Sequence, residues 1–343
     1  MDSHTSPLIS FILPVYNVGK YLDSTLCSID NQGLDDSEYE VVLVDDGSTD
    51  RSLAICKEWE KSRANYHVLT QKNQKAGYAR NTGLRNASGR YVFFMDSDDL
   101  LVPHSVRPLM EYLDGRYDMV HASRVRVVDE AFPEIQDNPE NHIMFDGSGM
   151  DYLKQCTPLL YCTDSFFRRS FLMEKGIQFT NLEPCEDRLF MFEVLSAASL
   201  LIDIDRPVYF YMIRSDSISQ IRNKKKMSHF VRNQIEIFDR ILSSTSTMDP
   251  GIHEKWIASI QDHLRWAYER LYSSDMGAAE FGSIVRRLRS KDVLPVPPKG
   301  KWQLMMNVSS LLWPCLGLFK AFYSIRSRIK ARANNKSNKQ VNG

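Results

Sequence analysis

The sequence predicts an α/β fold: a parallel, doubly wound sheet in the first half, followed by a helical appendage. Three observations carry this. Apolar, β-branched runs alternate with segments of helical periodicity from residue 8 to residue 95. Two of those runs stop abruptly in clustered carboxylates, Asp45-Asp46 and Asp96-Ser97-Asp98-Asp99. Beyond residue 223 the apolar spacing becomes helical alone. Strands alternating with helices at this interval form parallel sheets with right-handed crossovers.

The elements follow in order. Residues 8–13 are an apolar run that stops at Pro14, and a helix over 19–29 carries Leu22, Leu26 and Ile29 on one face. Residues 40–44 form a second strand, and Ser48, Thr49 and Asp50 cap a helix carrying Leu53, Cys56 and Trp59. Read alone, Asp50 is a cap rather than a ligand. Residues 66–69 are a third strand, 76–86 a helix and 91–95 a buried strand. The alternation then loosens. Strands are expected over 118–122 and 207–213, and a strong helix over 186–199. Further on, Val231, Ile235, Phe238 and Leu242 share one helical face, as do Ile257, Ile260, Leu264, Ala267 and Leu271. The proline-rich stretch 292–299 reads as a linker. The expected boundaries are therefore a catalytic domain over 1–222, an appendage and linker over 223–300, and a tail over 301–343.

Composition narrows the function classes. The chain has 343 residues, and its 43 Lys and Arg balance 43 Asp and Glu. No global basic excess points to nucleic acid, so no nucleic-acid partner is expected. The six cysteines form no Cys-x-x-Cys pair and have no zinc-like spacing. Scattered thiols suit a reducing compartment, and the polar N-terminus does not resemble a secretory leader. A cytoplasmic location is the expectation.

The acids at the end of the fourth strand carry the chemistry. Asp96, Asp98 and Asp99 put three carboxylates in four residues, which is costly unless something positive sits among them. A hard divalent cation, Mg²⁺ or Mn²⁺, prefers such oxygen ligands. Ligands of open α/β sheets bind beyond the carboxyl ends of the strands. A metal there suggests phosphate chemistry. Asp46, at the end of the second strand, could accept from the N3–H of a uracil base.

Four stretches in register carry a family resemblance: Pro14-Val15-Tyr16-Asn17, Val44-Asp45-Asp46-Gly47-Ser48-Thr49-Asp50, Ala79-Arg80-Asn81-Thr82-Gly83-Leu84 and Asp96-Ser97-Asp98-Asp99. Together they resemble the nucleotide-binding half of family 2 glycosyltransferases, strongly over residues 8–110 and more weakly to about residue 222. The resemblance implies the glycosyltransferase A-type fold, an α/β domain with a mixed sheet, and an inverting transfer from a nucleotide-sugar to a saccharide hydroxyl. On it, Pro14, Tyr16 and Asn17 line the base pocket, with Tyr16 a stacking partner. Asp45 and Asp46 close that pocket, and Asp46 reads the base. Asp96 contacts the ribose or sugar, and Asp98 holds a Mn²⁺ or Mg²⁺ ion that bridges the diphosphate. Arg80 either contacts the nucleotide-sugar or makes a structural salt bridge to one of the acids. One position departs from the pattern: Lys75 stands where the family usually has the glycine of Asn-x-Gly.

Pro184 to Phe190 resembles the family's Glu-Asp motif at a helix start. It implies Asp187 as general base and Glu186 as an acceptor contact, although acids at helix starts are also common for dipole reasons. Residues 209–220 resemble a segment of polysaccharide-building members in which Arg214 closes over the diphosphate; a solvated surface arginine is the alternative. Lys224, Lys225 and Lys226 either do the same from a mobile loop or are simply solvated.

From Trp302 onward the chain has no acid. An interrupted apolar stretch over 304–319 precedes Lys320, Arg326, Arg328, Lys330, Arg332, Lys336 and Lys339. It is short for a spanning helix and fits an interfacial helix with a polybasic tail. The expected partners are thus a UDP-sugar donor, a saccharide or lipid-linked saccharide acceptor, and the inner membrane surface; a core helix followed by a disordered basic tail is the alternative reading of this stretch. Two rival readings remain open from sequence: a receiver-type phosphoacceptor domain, and a non-catalytic protein that kept the nucleotide pocket.

Overall fold

A computed structural model describes residues 6–128, 130–135, 141–214, 223–297 and 301–324. The chain divides into two compact units, Met1–Ser217 and Ile218–Gly343.

The first unit is built on one sheet in the order β3-β2-β1-β4-β8-β6-β9-β5, with β7 pairing β9. Its first half follows the expected alternation: β1 Ile9–Val15, α1 Leu22–Asp30, β2 Tyr39–Asp45, α2 Ser52–Ser62, β3 Tyr66–Thr70, α3 Ala76–Asn86 and β4 Tyr91–Phe94. The pairs β1–β2, β1–β4 and β2–β3 are all parallel. Side chains alternate across β1, so Ile9, Phe11, Leu13 and Val15 face one core with Leu22 and Leu26 of α1 and Ile55 of α2. Ile12 faces the other way, where Gly83 of α3 comes so close that a Cβ there would lie 2.3 Å from Ile12 Cγ2. Helices therefore cover both faces. Pro14 does not end β1 as expected: it pairs with Val44 and the strand continues to Val15.

The second half of the sheet is mixed. After β5 Leu100–Leu101 come β6 Met119–Val128, β7 Ile143–Gly147, α4 Gly149–Gln155, β8 Ser165–Arg168, α5 Arg169–Lys175, α6 Glu186–Ala197 and β9 Leu201–Ile213. β8 is antiparallel to both β4 and β6. β6 and β9 run parallel and are longer than the sequence suggested. The parallel expectation thus holds for β1 to β4 and the sheet as a whole is mixed.

The second unit contains α7 Lys224–Thr245, α8 Pro250–Ser273, α9 Ala278–Arg289 and α10 Lys301–Leu311. Asn223 caps α7 by accepting from Lys225 N and Lys226 N, so the lysine run is a first helical turn and not a loop. Val231, Ile235, Phe238 and Leu242 are buried as expected. On α8, Trp256 rather than Ile257 takes the inner face. The stretch after α9 is not a loose linker: Val293, Leu294 and Val296 are buried, and Asn307 of α10 exchanges two hydrogen bonds with Val296 at 2.9 and 2.8 Å. Residues 301–324 therefore belong with the helical unit instead of forming a separate tail.

Candidate active site

The site forms where β1, β2 and β4 end. Past β1, Asn17 adopts a left-handed backbone (φ 53°) that a short amide tolerates. Its Oδ1 accepts from Thr49 N at 2.8 Å, while Val18 N and Gly19 N donate to Ser52 Oγ and Asp50 Oδ2. Asp50 also accepts from Ser52 N at 2.9 Å, which makes it a clamp between two loops. These bonds lock the first two loops together and leave Tyr16 exposed at the rim.

The two acids after β2 are buried. Asp45 accepts from Gly47 N and Ser48 N, shaping a turn in which Gly47 takes φ 78°. Asp46 Oδ1 accepts from Gln71 Nε2 at 2.7 Å and Gln74 N at 2.8 Å, and Oδ2 from Lys75 N at 2.8 Å. Asp46 thus organises the loop that enters α3. Lys75 sits at φ 81°, ψ 163°, a conformation essentially reserved for glycine. The glycine-like backbone is kept although a lysine occupies it, and Asp46 is what holds it.

The acids after β4 have three different surroundings. Asp99 is buried, accepting from Tyr209 Oη at 2.8 Å and Met212 N at 2.8 Å. Burial, and then the charges of Asp96 and Asp98, push its carboxyl well above the usual range. It ties the acidic turn to β9. Asp96 pairs with Arg80 at 2.6 Å. Asp98 is 35% exposed and accepts from Arg214 Nη1 at 3.0 Å, with the guanidinium 4.0 Å from the Tyr21 ring centroid. In this structure Arg214 is therefore an ion-pair partner of Asp98, not a solvated surface arginine. Among the described residues no three His, Cys, Asp or Glu are grouped to cage an ion. Asp96 and Asp98 are both about a third exposed, and an accessible carboxylate of this kind fits a Mg²⁺- or Mn²⁺-type ion whose other ligands are substrate phosphates and water. Asp98 is the residue that would hold it.

Arg80 joins the two halves of the site. It is buried on α3 and bonds Asp96 on one side and Glu186 Oε1, at 2.8 Å, on the other. Burial works against its charge, but Asp96 and Glu186 outweigh that and hold the guanidinium more firmly protonated than usual. Sequence left Arg80 open between a nucleotide-sugar contact and a salt bridge to one acid; in the structure it bonds two acids, one of them 106 residues away. Asn81 adds two bonds to Phe179, at 2.8 and 2.9 Å, and Ala76 N donates to Glu183 at 2.7 Å. Gly77 allows this approach, since a Cβ there would lie 2.7 Å from Thr180 O. Sequence reasoning assigned no role to Asn81, Gly77 or Glu183, because their partners lie about a hundred residues away.

Asp187 follows Glu186 in the first turn of α6. Burial, and then the neighbouring Glu186 charge, push its carboxyl up to about 7. The folded environment thus makes it hold its proton more firmly than an ordinary aspartate. A second buried carboxyl, Asp164, is likewise raised to about 7 by burial, with Asp187 contributing. It precedes β8 in a segment with no recognisable pattern, and sequence gave no signal for it.

Comparison with known proteins bears on the family and the fold. Residues 10–175 match the family described as Glycosyl transferase family 2. The putative glycosyltransferase EpsH of Bacillus subtilis is 28% identical over 234 residues, spanning 64% of this chain and 65% of that protein. The poly(ribitol-phosphate) beta-N-acetylglucosaminyltransferase TarP of Staphylococcus aureus is 28% identical over 252 residues, spanning 69% and 72%. The crystal structure of S. aureus TarS 1–349 in complex with UDP-GlcNAc superposes with a TM-score of 0.58 at 21% identity, covering 88% of this chain and 90% of that one. A Pyrobaculum calidifontis mannosyltransferase in complex with GDP-Man and Mn²⁺ gives 0.55 at 15% identity, covering 92% and 87%. At such identities the two structures speak to the fold, which is the glycosyltransferase A-type.

Proposed function

The chain belongs to glycosyl transferase family 2, and from that premise we propose that it moves a sugar from a UDP-sugar to a saccharide hydroxyl, with inversion, in cell-surface polymer synthesis. The observation that carries this is the double ion pair of Arg80, at 2.6 Å to Asp96 and 2.8 Å to Glu186. It brings the donor-side acids and the Glu186-Asp187 pair to one place.

In this reading Tyr16 stacks on the base at the rim, and Asp46 fixes the loop against which the base sits. Asp187 takes the proton of the acceptor hydroxyl, and a carboxyl with a pKa of about 7 is suited to that. The acceptor oxygen forms a bond to the anomeric carbon as the bond to the diphosphate breaks. One displacement turns an α-linked donor into a β-linked product. Glu186, held by Arg80, orients the acceptor. A Mn²⁺ or Mg²⁺ ion held by Asp98 would neutralise charge on the departing diphosphate. Arg214, now on Asp98, is within reach of the same charge.

The uridine donor is supported by a solved neighbour, TarS, which is complexed with UDP-GlcNAc; Asp46 is committed to Gln71, Gln74 and Lys75 and acts through the loop it holds. The polymer context is supported by relatives named for poly(ribitol-phosphate) glycosylation and minor teichoic acid biosynthesis. The lipid-linked acceptor and the cytoplasmic location are part of the proposal. A receiver-type domain would be short and wholly parallel, which the mixed sheet does not support.

Purified protein is screened by thermal shift and hydrolysis against UDP-, GDP-, CMP- and dTDP-sugars, with Mn²⁺ and with EDTA. Metal-dependent stabilisation and slow hydrolysis with a UDP-sugar, both lost in Asp98→Ala, are the expected result. A response to no nucleotide would overturn the assignment, and binding without turnover would leave only the pocket.

A further inference from the structure

The last helices of the helical unit carry large apolar side chains on their outer face as well as their inner one. A surface helix of a globular protein normally turns its apolar stripe inward and its polar residues outward. Along α10 and the segment after it Met306 and Leu316 do face inward, but two serines share that inner face and a set of large apolar side chains faces out. Ser309 and Ser310 are buried, their hydroxyls hydrogen-bonded to Tyr272 (2.7 Å) and Tyr268 of α8. Leu304, Val308, Leu311 and Leu312 are exposed, Leu311 by 66%. They recur at intervals of three and four residues, so they form one stripe. The next arm repeats the pattern: Leu318 and Phe322 are exposed, at 72% and 59%, and lie four residues apart.

This orientation is fixed. Asn307 bonds Val296 twice. Lys320 Nζ donates to Ser274 O at 2.8 Å and Met276 O at 2.7 Å. Gly282 of α9 lets the Trp313 ring approach so closely that a Cβ there would lie 2.7 Å from it. The leucines cannot turn inward without breaking these contacts. Among the described residues of this unit, every exposed large apolar residue except Trp266 lies on these two arms. Scattered exposed leucines need no explanation, but a concentrated stripe does.

Charge and length decide the occupant. The chain immediately beyond carries Arg326, Arg328, Lys330, Arg332, Lys336 and Lys339, with no acid among residues 302–343. Gln303–Leu311 and Trp313–Ser324 meet at 103°, and no single helix among the described residues is long and apolar enough to cross a membrane. A protein partner would be expected to cover the leucines but offers no reason for the uncompensated positive charge beside them. An anionic bilayer satisfies both: acyl chains accept the leucines, and headgroups accept the lysines and arginines.

We infer that the outward apolar stripe of residues 304–322 docks this protein on an anionic lipid surface, lying in the interface instead of spanning it. The inference is independent of the sugar-transfer reading. The test is flotation of the full chain with vesicles of phosphatidylcholine alone or with about 30% phosphatidylglycerol. The wild type is expected to float with the anionic vesicles only, and less in ~0.5 M NaCl. Leu311→Gln with Leu318→Gln should cut binding at least tenfold at an unchanged Tm, because both side chains are already in water. Nucleotide-sugar hydrolysis in solution should be unchanged. Failure of the wild type to float, or equal flotation of the double variant, would overturn the inference. So would a wild-type dimer in solution that the double variant dissociates, since the stripe would then cover a second copy of the chain.

Discussion

If Asp187 is the base, its protonation should set the acid limb of the pH–rate profile. Burial is the first cause of its raised pKa and the adjacent Glu186 charge the second, placing it at about 7. Only the ionised form accepts a proton, so kcat/KM should fall about tenfold per pH unit below that value. Glu186→Gln removes the neighbouring negative charge. It also frees Arg80 from one of its two carboxylates. Both changes favour an ionised Asp187, so the limb moves to lower pH even as the rate drops. Stability gives an independent check. The folded carboxyl binds its proton at about 7 against about 3.9 for an ordinary aspartate, so between those values the folded state holds more proton than the unfolded one. Stability therefore declines as pH rises through that window. Asp187→Asn removes the buried charge, and its Tm should exceed the wild-type value by more at about pH 8 than at about pH 5. The assays are initial rates of donor turnover, with acceptor or water, across the pH range, and thermal melts of both variants. A profile flat through neutrality, or an acid limb that Glu186→Gln does not move, would refute the reasoning.

Two further substitutions probe the scaffold. Lys75→Gly should raise Tm, because a side chain in a glycine-type conformation costs about 1–3 kcal/mol and the added backbone freedom takes back only about 0.5–1. A lower Tm would refute the strain, and a higher donor KM in the same variant would show that the lysine is kept for the ligand. Gly77→Val should destabilise by about 1–3 kcal/mol and lower kcat, because its side chain would collide with Thr180 O and press on Phe179 and Glu186. Denaturant melts and turnover, measured together, check it.

Much of the site's chemistry is written locally. The strand-end acids, the Gly47 turn and the α3 helix are sequence neighbours with strong periodicity and turn signals, so β1 to β4 with their helices were legible. The short β8 and the exposed β7 were not: β3 and β4 are equally short, but they stand in a regular strand–helix alternation that β7 and β8 lack, so the identity of β7 and β8 comes from their partners. For the same reason the tertiary structure alone could show that Arg80 spans Asp96 and Glu186, that Asp46 braces Lys75, and that Asp99 is a tie to β9 while Asp98 pairs with Arg214 at the surface. Residue type and spacing determine which groups can hold phosphate, metal or proton. Burial and long-range pairing decide which of several identical carboxylates is neutral, which is committed and which meets the substrate. The sequence alone therefore determined the fold class, the family resemblance and which residue types stand at the strand ends, and the fold gave each aspartate its surroundings by setting its solvent exposure and its neighbouring charges.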